Sequence, residues 1–407
     1  MKNRSVRNPK ELLARPRISP FLHFHIIIIG MDDFLNKLAH TVGRNLRGAK
    51  RSFDRRIGKT EHPHIVPYRG YGNDARVMVM GRALRDPGLR EVGENDTLLQ
   101  NLIESYKRIE TDELPGARIR VTYQALTQEI VADRDGFFRA TIELGTPPAP
   151  DTGYWHEVKL ELVDPVPASG ELVTASAQTL VPPKTADFIV ISDLDDTVIQ
   201  TGATDVVRMV RATLFGNART RIPFAGVAAF YAALQQGGGT ATSFNPIFYV
   251  SSSPWNLYDV IEQFLALQRI PMGPTLLRDW GMSLDRIPLK HSAHKLTAIR
   301  QIMDMYPEQR VILIGDSGQE DPEIYREIVR EYPQRVLCCY IRNVTPVARA
   351  ESLKTVAGEV AEAGSMMVIV EDTNAAAAHA AQHGWISEES RPDIAKEEAQ
   401  VERLPKT

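Results

Sequence analysis

Two aspartates separated by one residue follow a strongly apolar run near the middle of the chain. Asp193 and Asp195 come directly after residues 188–192, in the order Asp-Leu-Asp-Asp-Thr. Carboxylates this close repel each other, and neither is buried cheaply unless a positive charge lies between them. A metal ion would supply that charge. The alternative is a solvated loop after a strand, because a short Asp-x-Asp-x-Thr string also arises by chance.

Three serines follow the next apolar run, residues 247–250. A hydroxyl at a strand end, beside the free backbone amides of a helix start, makes a neutral cradle for phosphate oxygens. Ser251 comes first after the run and is the main candidate for this contact, with Ser252 beside it. The alternative for Ser252 and Ser253 is to cap a helix that begins near Pro254.

A lysine, Lys295, lies at the start of the amphipathic segment 294–306. A cation is normally disfavoured at a helix N-terminus, so an anionic ligand nearby would explain the placement of Lys295. Its ammonium could neutralise both a phosphoryl group and Asp193. Lys290 is a rival only a few residues away, and we prefer Lys295.

An acidic loop, Gly-Asp-Ser-Gly-Gln-Glu-Asp, follows the apolar run 311–314. Gly315 and Gly318 allow a tight turn that would bring Asp316 and Asp321 back toward Asp193 and Asp195. Carboxylates from two adjacent strand ends suit Mg²⁺, which prefers oxygen ligands and keeps several waters. Asp321 could also cap the helix that follows, but capping leaves Asp316 unexplained.

Two patterns of hydrophobic residues divide the chain after residue 60. Short β-rich runs with a period of two predict a β-sandwich, at residues 76–81, 119–123, 137–144, 157–162 and 172–180. After residue 183, continuous apolar runs alternate with amphipathic helices, at residues 188–192, 247–250, 311–314, 336–341 and 366–370. This order predicts an α/β fold with a doubly wound, Rossmann-like parallel sheet, which binds ligands at the carboxyl ends of its strands.

The charge of the chain is uneven. The formal net charge of -3 gives no global attraction to nucleic acid, while residues 1–60 carry about ten net positive charges. The pattern of residues 32–49 predicts a basic amphipathic helix, which would either lie in a membrane interface or pack on the neighbouring domain. We predict peripheral membrane contact through residues 32–59 and no nucleic-acid partner.

Three features bear on the compartment. The apolar residues 21–30 are too few to span a bilayer, and no signal cleavage site follows them. Translation could also begin at Met31. The adjacent Cys338 and Cys339 point to opposite faces of a strand, which predicts buried, reduced thiols. A cytoplasmic protein, with peripheral membrane contact as an option, fits these features.

These four elements, each at a strand end and in this order, closely resemble those of the haloacid-dehalogenase (HAD) superfamily of phosphohydrolases. More narrowly, the stretches 192–197, 249–255 and 315–322 resemble the actin-patch phosphatidate phosphatase family and its bacterial relatives. In that family the catalytic domain follows a β-rich domain, as predicted here. The resemblance covers about residues 186–372.

The resemblance implies a role for each motif residue. Asp193 would attack phosphorus to give an aspartyl phosphate, and Asp195 would protonate the leaving oxygen and then activate the hydrolytic water. Asp193, the backbone carbonyl of Asp195, and Asp316 would hold Mg²⁺, supported by Asp321. Thr197 is the residue typical of phosphatases at its position and joins the phosphate-binding candidates.

We therefore divide the chain into four segments: 1–60, a basic extension; 61–183, a β-rich domain; 184–372, an HAD-like phosphatase domain; and 373–407, an Ala-rich, charged tail with one helix followed by disorder. The predicted function is a Mg²⁺-dependent phosphatase of phosphatidate or a related lipid phosphate. The apolar and basic insert 201–224 would suit a lipid substrate, although an ordinary amphipathic helix fits equally well. Alternatives are a phosphatase of soluble phosphomonoesters or phosphoprotein, and an inactive lipid- or protein-binding scaffold.

Overall fold

The computed structural model describes eight stretches of the chain, which all lie in one compact unit spanning residues 61–407. They are residues 62–86, 112–149, 153–167, 169–194, 226–239, 244–278, 291–344 and 349–402. Several predictions fall outside the described residues: the basic helix 32–49 and membrane contact 32–59, the insert 201–224, and the side chains of Asp195, Thr197 and Lys290.

The described residues of the β-rich part form eight strands, and all five that the sequence predicts are confirmed. They are β1 His62–Gly72, β2 Arg76–Asp86, β3 Asp112–Glu113, β4 Arg118–Tyr123, β5 Leu126–Val131, β6 Phe137–Glu143, β7 Trp155–Asp164 and β8 Thr174–Leu180. Buried and exposed residues alternate along β6 and β7, because successive side chains of a strand point to opposite faces. The inward side chains form a separate core, which includes Val79, Ile119, Phe138 and Leu160.

Pairing in this part differs from a sandwich of two separate sheets. The order is β3-β2-β1-β8-β7-β4-β5, with β6 also paired to β2. β1 pairs antiparallel with β2 and, through Gly70 and Tyr71, parallel with β8. β1 therefore connects the strands on its β2 side to those on its β8 side, so that they form one mixed sheet instead of two separate sheets. The sequence predicts strands by their period but carries no signal for this one pairing.

The second part is an α/β structure around a parallel six-stranded sheet, as predicted. Its strands are β9 Ile189–Asp193, β10 Ile247–Pro254, β11 Thr275–Arg278, β12 Val311–Asp316, β13 Val336–Arg342 and β14 Met367–Val370. The helices are α1 Val227–Gln236, α2 Tyr258–Leu267, α3 His291–Met305, α4 Asp321–Glu331, α5 Ala350–Glu362, α6 Thr373–Gln382 and α7 Arg391–Glu402. Sequence analysis missed β11, because Thr275 and Arg278 at its ends leave only two apolar residues between them, too few to form an apolar run.

The order of this sheet is β11-β10-β9-β12-β13-β14, with every neighbouring pair parallel. The first strand, β9, therefore lies inside the sheet, with β10 on one side and β12 on the other. In open parallel sheets the ligand lies at the carboxyl ends of the strands, where the order reverses. Every residue of β12 is buried, as expected for a strand covered on both faces. Cys338 and Cys339 on β13 are buried and free, as predicted.

The β-rich part also contributes side chains to the core of the α/β part. Tyr68 and Tyr71 of β1 belong to the hydrophobic cluster of the α/β part. The hydroxyl of the buried Tyr306 donates a hydrogen bond of 2.9 Å to the backbone oxygen of Gly72. None of the helices in the described ranges is long and apolar enough to cross a membrane.

The C-terminal segment is ordered up to Glu402, and the prediction of a disordered tail after one helix is wrong there. A short 3₁₀ turn at Glu388–Ser390 leads into α7. Ile394 of α7 is fully buried in the core of the α/β part. The carboxylate of Glu397 accepts a hydrogen bond of 3.0 Å from the backbone N–H of Ala229, at the start of α1. The high charge of this segment suggested disorder. Instead, the buried side chain of Ile394 and the hydrogen bond to Glu397 hold α7 against the rest of the α/β part.

Ile394→Ala tests this anchoring. We expect the free energy of unfolding to fall by about 2–5 kcal/mol, because the substitution leaves a cavity in the core. The measurement is urea denaturation followed by circular dichroism. Lys396→Ala, exposed on the same helix, is the control and should change little. Equal stability of both variants and the unmodified protein would show that α7 is not docked.

Candidate active site

Asp193 is the last residue of β9 and lies between two neighbouring strand ends. Val250 of β10 pairs with Asp193, and Ile314 of β12 pairs with Ser192. The parallel direction of all three strands brings their carboxyl ends to one edge of the sheet. The predicted carboxylate thus lies at the edge where parallel sheets bind ligands.

Lys295 connects the first and the last predicted motif. Its Nζ lies 2.8 Å from Oδ1 of Asp193 and 2.7 Å from Oδ1 of Asp321. A third hydrogen bond of 3.0 Å goes to Oε1 of Gln319. The side chains of Lys295, Asp193 and Asp321 are 4%, 4% and 0% exposed, so both carboxylates share one buried ammonium. The preference for Lys295 agrees with this placement, while Lys290 lies outside the described residues.

The environment of Lys295 keeps its amine charged. Burial alone would lower its pKa, but the charges and hydrogen bonds of Asp193 and Asp321 outweigh burial and raise the pKa above its ordinary value. Lys295 lies in the second turn of α3, which begins at His291, so the lysine is not at the helix start as the sequence suggested. The two carboxylates, rather than a helix terminus, explain its position.

The acidic loop after β12 turns back on itself, and Asp321 shares Lys295 with Asp193. Oδ2 of Asp321 accepts a hydrogen bond of 3.2 Å from the backbone N–H of Asp316. Oδ1 of Asp316 accepts one of 2.6 Å from the N–H of Gly318. A side chain at Gly315 would put its Cβ 2.5 Å from Oδ2 of Asp321, so only glycine fits there. Asp321 begins α4 and the N-cap is Glu320, hence Asp321 does not cap this helix as the alternative proposed.

The serines belong to β10 itself, which continues to Pro254 instead of ending at Val250. Ser251 Oγ donates to Ser253 Oγ at 2.6 Å and accepts from the Ser253 N–H at 3.0 Å. A 3₁₀ turn at Trp255–Leu257 leads into helix α2, whose N-cap residue Leu257 makes no side-chain cap hydrogen bond. The helical segment therefore begins next to Pro254, and capping of this turn by Ser252 or Ser253 stays a prediction. Ser252 Oγ is buried and makes no hydrogen bond within the described part of the chain. Ser251 lies one residue beyond Val250, the pairing partner of Asp193.

Sequence analysis missed two contributors to the site. Ser192 Oγ lies 2.7 Å from the hydroxyl of the buried Tyr231 and donates a 3.0 Å hydrogen bond to the backbone oxygen of Asp193. His294 makes a hydrogen bond with the backbone of Ser251. Burial, with the nearby charges of Arg278 and Lys295, lowers the pKa of His294 to about 4, so its imidazole is neutral at pH 7. Nothing in the sequence singles out Tyr231, whereas His294 adjoins the predicted lysine.

The donor atoms suit a hard cation. Within the described residues no three His, Cys, Asp or Glu side chains gather into a metal-binding group. Mg²⁺ does not need such a group, because it is usually bound by one or two carboxylates and keeps water or substrate oxygens as its other ligands. Asp193 and Asp316, at the ends of neighbouring strands, are carboxylates of this kind.

Residues 188–343 match the family described as "Phosphatidate phosphatase APP1, catalytic domain". The matched range contains every predicted site residue. The chain is 30% identical over 153 residues to phosphatidate phosphatase APP1 of Saccharomyces cerevisiae, which is 37% of this chain and 25% of that protein. It is 32% identical over 161 residues to an uncharacterized protein of Schizosaccharomyces pombe, 38% of this chain and 25% of that protein. The chain thus spans about a quarter of the length of the curated relatives it matches.

Solved structures share little with the whole chain. A carbohydrate acetylesterase from Xanthomonas citri is 11% identical, with 83% of this chain and 74% of that chain covered and a TM-score of 0.31. A β-glucuronidase of Bacteroides uniformis is 9% identical, with 76% and 33% covered and a TM-score of 0.22. Scores this low carry no argument about fold or function.

Lys295→Met tests the shared buried charge. We expect the free energy of unfolding to fall by about 3–5 kcal/mol at neutral pH, because two buried carboxylates lose their counter-charge. The raised pKa of Lys295 contributes stability that is fully present below its unfolded pKa of about 10.4 and is lost as pH rises through the folded value. The difference between the two proteins should therefore stay constant from neutral pH to about 10 and narrow above it.

The measurement is urea denaturation at each pH in EDTA, so that no divalent cation replaces the ammonium. Lys354→Met, which removes an exposed ammonium paired with Glu351, is the matched control and should change little. Equal losses in the two variants would contradict a buried charge pair at Lys295.

Proposed function

We propose that this protein is a Mg²⁺-dependent phosphatase that hydrolyses phosphatidate or a related lipid phosphate through an aspartyl-phosphate intermediate. The observation that carries the proposal is the buried Lys295 held between Asp193 and Asp321 at the carboxyl edge of the parallel sheet. The similarity of residues 188–343 to a phosphatidate phosphatase catalytic domain supports it. We also assign the α/β part to the doubly wound, HAD-type fold, whose strand order and ligand edge agree with the observed sheet.

Covalent catalysis divides the displacement into two steps. In the first, a carboxylate oxygen of Asp193 forms a bond to phosphorus while the P–O bond to the alcohol breaks, and Asp195 gives its proton to the leaving oxygen. In the second, Asp195 takes a proton from water, whose oxygen attacks phosphorus. The acyl P–O bond then breaks, releasing phosphate and regenerating the Asp193 carboxylate.

Lys295 has a direct part in binding the phosphoryl group. An ammonium has three N–H donors, and Nζ of Lys295 lies within 3.0 Å of three oxygens, those of Asp193, Asp321 and Gln319. Hydrogen bonds to charged acceptors are roughly twice as strong as those to neutral ones. An arriving phosphoryl oxygen therefore replaces the neutral amide oxygen of Gln319 and leaves both carboxylates in place. Gln319 holds the side chain of Lys295 in position until a phosphoryl oxygen of the substrate replaces its amide oxygen.

Mg²⁺ would be held by Asp193, Asp316 and the backbone carbonyl of Asp195, and when bound it offsets negative charge on the phosphoryl oxygens. Asp321 would position these ligands without binding the metal itself. One of its carboxylate oxygens pairs with Lys295, and the other accepts a hydrogen bond from the backbone N–H of Asp316. Ser251, with Ser252 and Thr197 as further candidates, would bind the phosphoryl oxygens. Together these groups would bind the phosphoryl oxygens and offset their negative charge.

A lipid phosphate is the proposed substrate because the matched family and the yeast relative are named for phosphatidate. A cytoplasmic protein that touches the membrane through residues 32–59 would reach such a substrate from the aqueous side. Soluble phosphomonoesters and phosphopeptides are the competing substrates. They share the phosphoryl group, so only a comparison of rates separates them.

Asp193→Asn tests the function. We expect phosphate release to fall by at least about a thousandfold, because the amide cannot act as the nucleophile. Phosphate release is measured with phosphatidate, lysophosphatidate, a sugar phosphate and a phosphopeptide, each in Mg²⁺ and in EDTA. The highest rate should be with phosphatidate in Mg²⁺, and EDTA should abolish it.

Asp187→Asn is the matched control, because Asp187 is exposed and precedes the opposite end of β9. It should retain the activity of the unmodified protein. Turnover that survives Asp193→Asn would refute the proposed mechanism. A faster rate with the sugar phosphate or phosphopeptide would refute the proposed substrate.

A further inference from the structure

The phosphate-binding end of β10 is irregular. Val250 of β10 pairs with Leu276 of β11, and the next pair joins Pro254 to Arg278. Four residue steps on β10 thus match two on β11, so Ser251, Ser252 and Ser253 lie in a bulge. Bulges near active sites re-aim side chains, but they interrupt the ladder of hydrogen bonds that fixes a strand. Other contacts must hold this segment in place.

Trp255 follows the bulge by one residue and provides such a contact. Its ring stacks on that of Tyr68 from β1, with ring centres 4.4 Å apart and planes inclined by 22°. Tyr68 is 4% exposed and Trp255 is 6% exposed, so the contact is dry. Tyr68 also packs on Tyr258, at 4.5 Å between ring centres. Phe137 of β6 lies 6.3 Å from Trp255. The β-rich part therefore contributes two of the four rings in this aromatic cluster.

Arg69 connects β1 to the residues that follow β10, next to this aromatic cluster. Its backbone N–H donates a 2.8 Å hydrogen bond to the hydroxyl of Tyr258, and its guanidinium forms an ion pair with Glu262 of α2. Glu262 in turn accepts a 3.1 Å hydrogen bond from the hydroxyl of Thr275, the first residue of β11. β1 is thus tied to the helix that follows the bulge and to the strand that pairs with it.

We propose that the β-rich part positions the phosphate-binding serines, and that Tyr68 and Trp255 are the positioning residues through which it acts. This inference rests on the proposed phosphatase function of the same site. Tyr68 touches neither the substrate nor the reacting atoms. Stacking on Tyr68 fixes Trp255, and Trp255 fixes the end of the segment that carries Ser251. The β-rich part is then a component of the active site as well as a neighbouring fold.

A second aromatic stack serves as a matched comparison. Tyr154 of the β-rich part stacks on Phe244, with ring centres 4.1 Å apart and planes inclined by 21°. Phe244 precedes β10, so this stack lies at the end of the strand away from the serines. The two stacks have nearly the same geometry and join the same two parts of the protein. They differ in which end of β10 they hold.

The experiment compares Tyr68→Leu with Tyr154→Leu in the full chain. We measure kcat and KM for the best phosphomonoester substrate, the inhibition constant of inorganic phosphate, and the thermal unfolding temperature. Ser251 contacts the phosphate in both the ground state and the transition state, so a displaced serine raises KM and leaves kcat nearly unchanged. Tyr68→Leu should raise KM and the inhibition constant roughly tenfold. Tyr154→Leu should change neither and should lower the unfolding temperature by a smaller amount, because Tyr154 and Phe244 are only partly buried.

Tyr68→Phe, which keeps the stacked ring, should retain the KM of the unmodified protein. Trp255→Phe is the second variant in case Tyr68→Leu does not fold, and it should raise KM in the same direction. Unmodified protein that releases no phosphate overturns both the proposed function and this inference. Two outcomes overturn the inference alone, provided that the unmodified protein turns over substrate. One is an unchanged KM in Tyr68→Leu. The other is a KM that rises as much in Tyr154→Leu as in Tyr68→Leu.

Discussion

The site depends on a single buried cation that lies between two buried carboxylates. Burying an unpaired charge costs several kcal/mol, so Asp193 and Asp321 can lie inside the protein only because Lys295 lies there too. Each of the three comes from a different element: the central strand β9, helix α3 and the start of α4. The charge pairing therefore requires the whole α/β part to be assembled before the site exists.

The same arrangement suits the phosphoryl transfer proposed for this site. In that reaction the phosphoryl group would bring negative charge to the carboxylate of Asp193, and the ammonium of Lys295 would offset both charges. The neutral imidazole of His294 lies beside it and adds no competing charge. The hydroxyls of the β10 bulge contribute dipoles without charge. The charge of Lys295 thus lies beside neutral donors, a combination that suits the phosphoryl group proposed as the ligand.

Much of the site was predictable because each motif follows a buried strand. The strands β9, β10, β12 and β13 can be recognised in the sequence as continuous apolar runs. Because the strands are parallel, their carboxyl ends lie at one edge of the sheet. Composition does not reveal pairing. The bulge at Ser251, the short strand β11 and the single sheet formed through β1 depend on contacts between residues far apart in the chain. The anchoring of α7 by Ile394 was missed for a similar reason, since one buried side chain hardly alters the average of a charged segment.

The most direct test of the central claim is a crystal structure of the protein with Mg²⁺ and beryllium fluoride, a mimic of the phosphoryl group on a carboxylate. We expect beryllium to be bonded to a carboxylate oxygen of Asp193. Lys295 should still pair with Asp321 and should donate to a fluoride in place of Gln319. The hydroxyl of Ser251 should contact another fluoride. Beryllium fluoride bound away from Asp193, or Lys295 turned out of the site, would contradict the account.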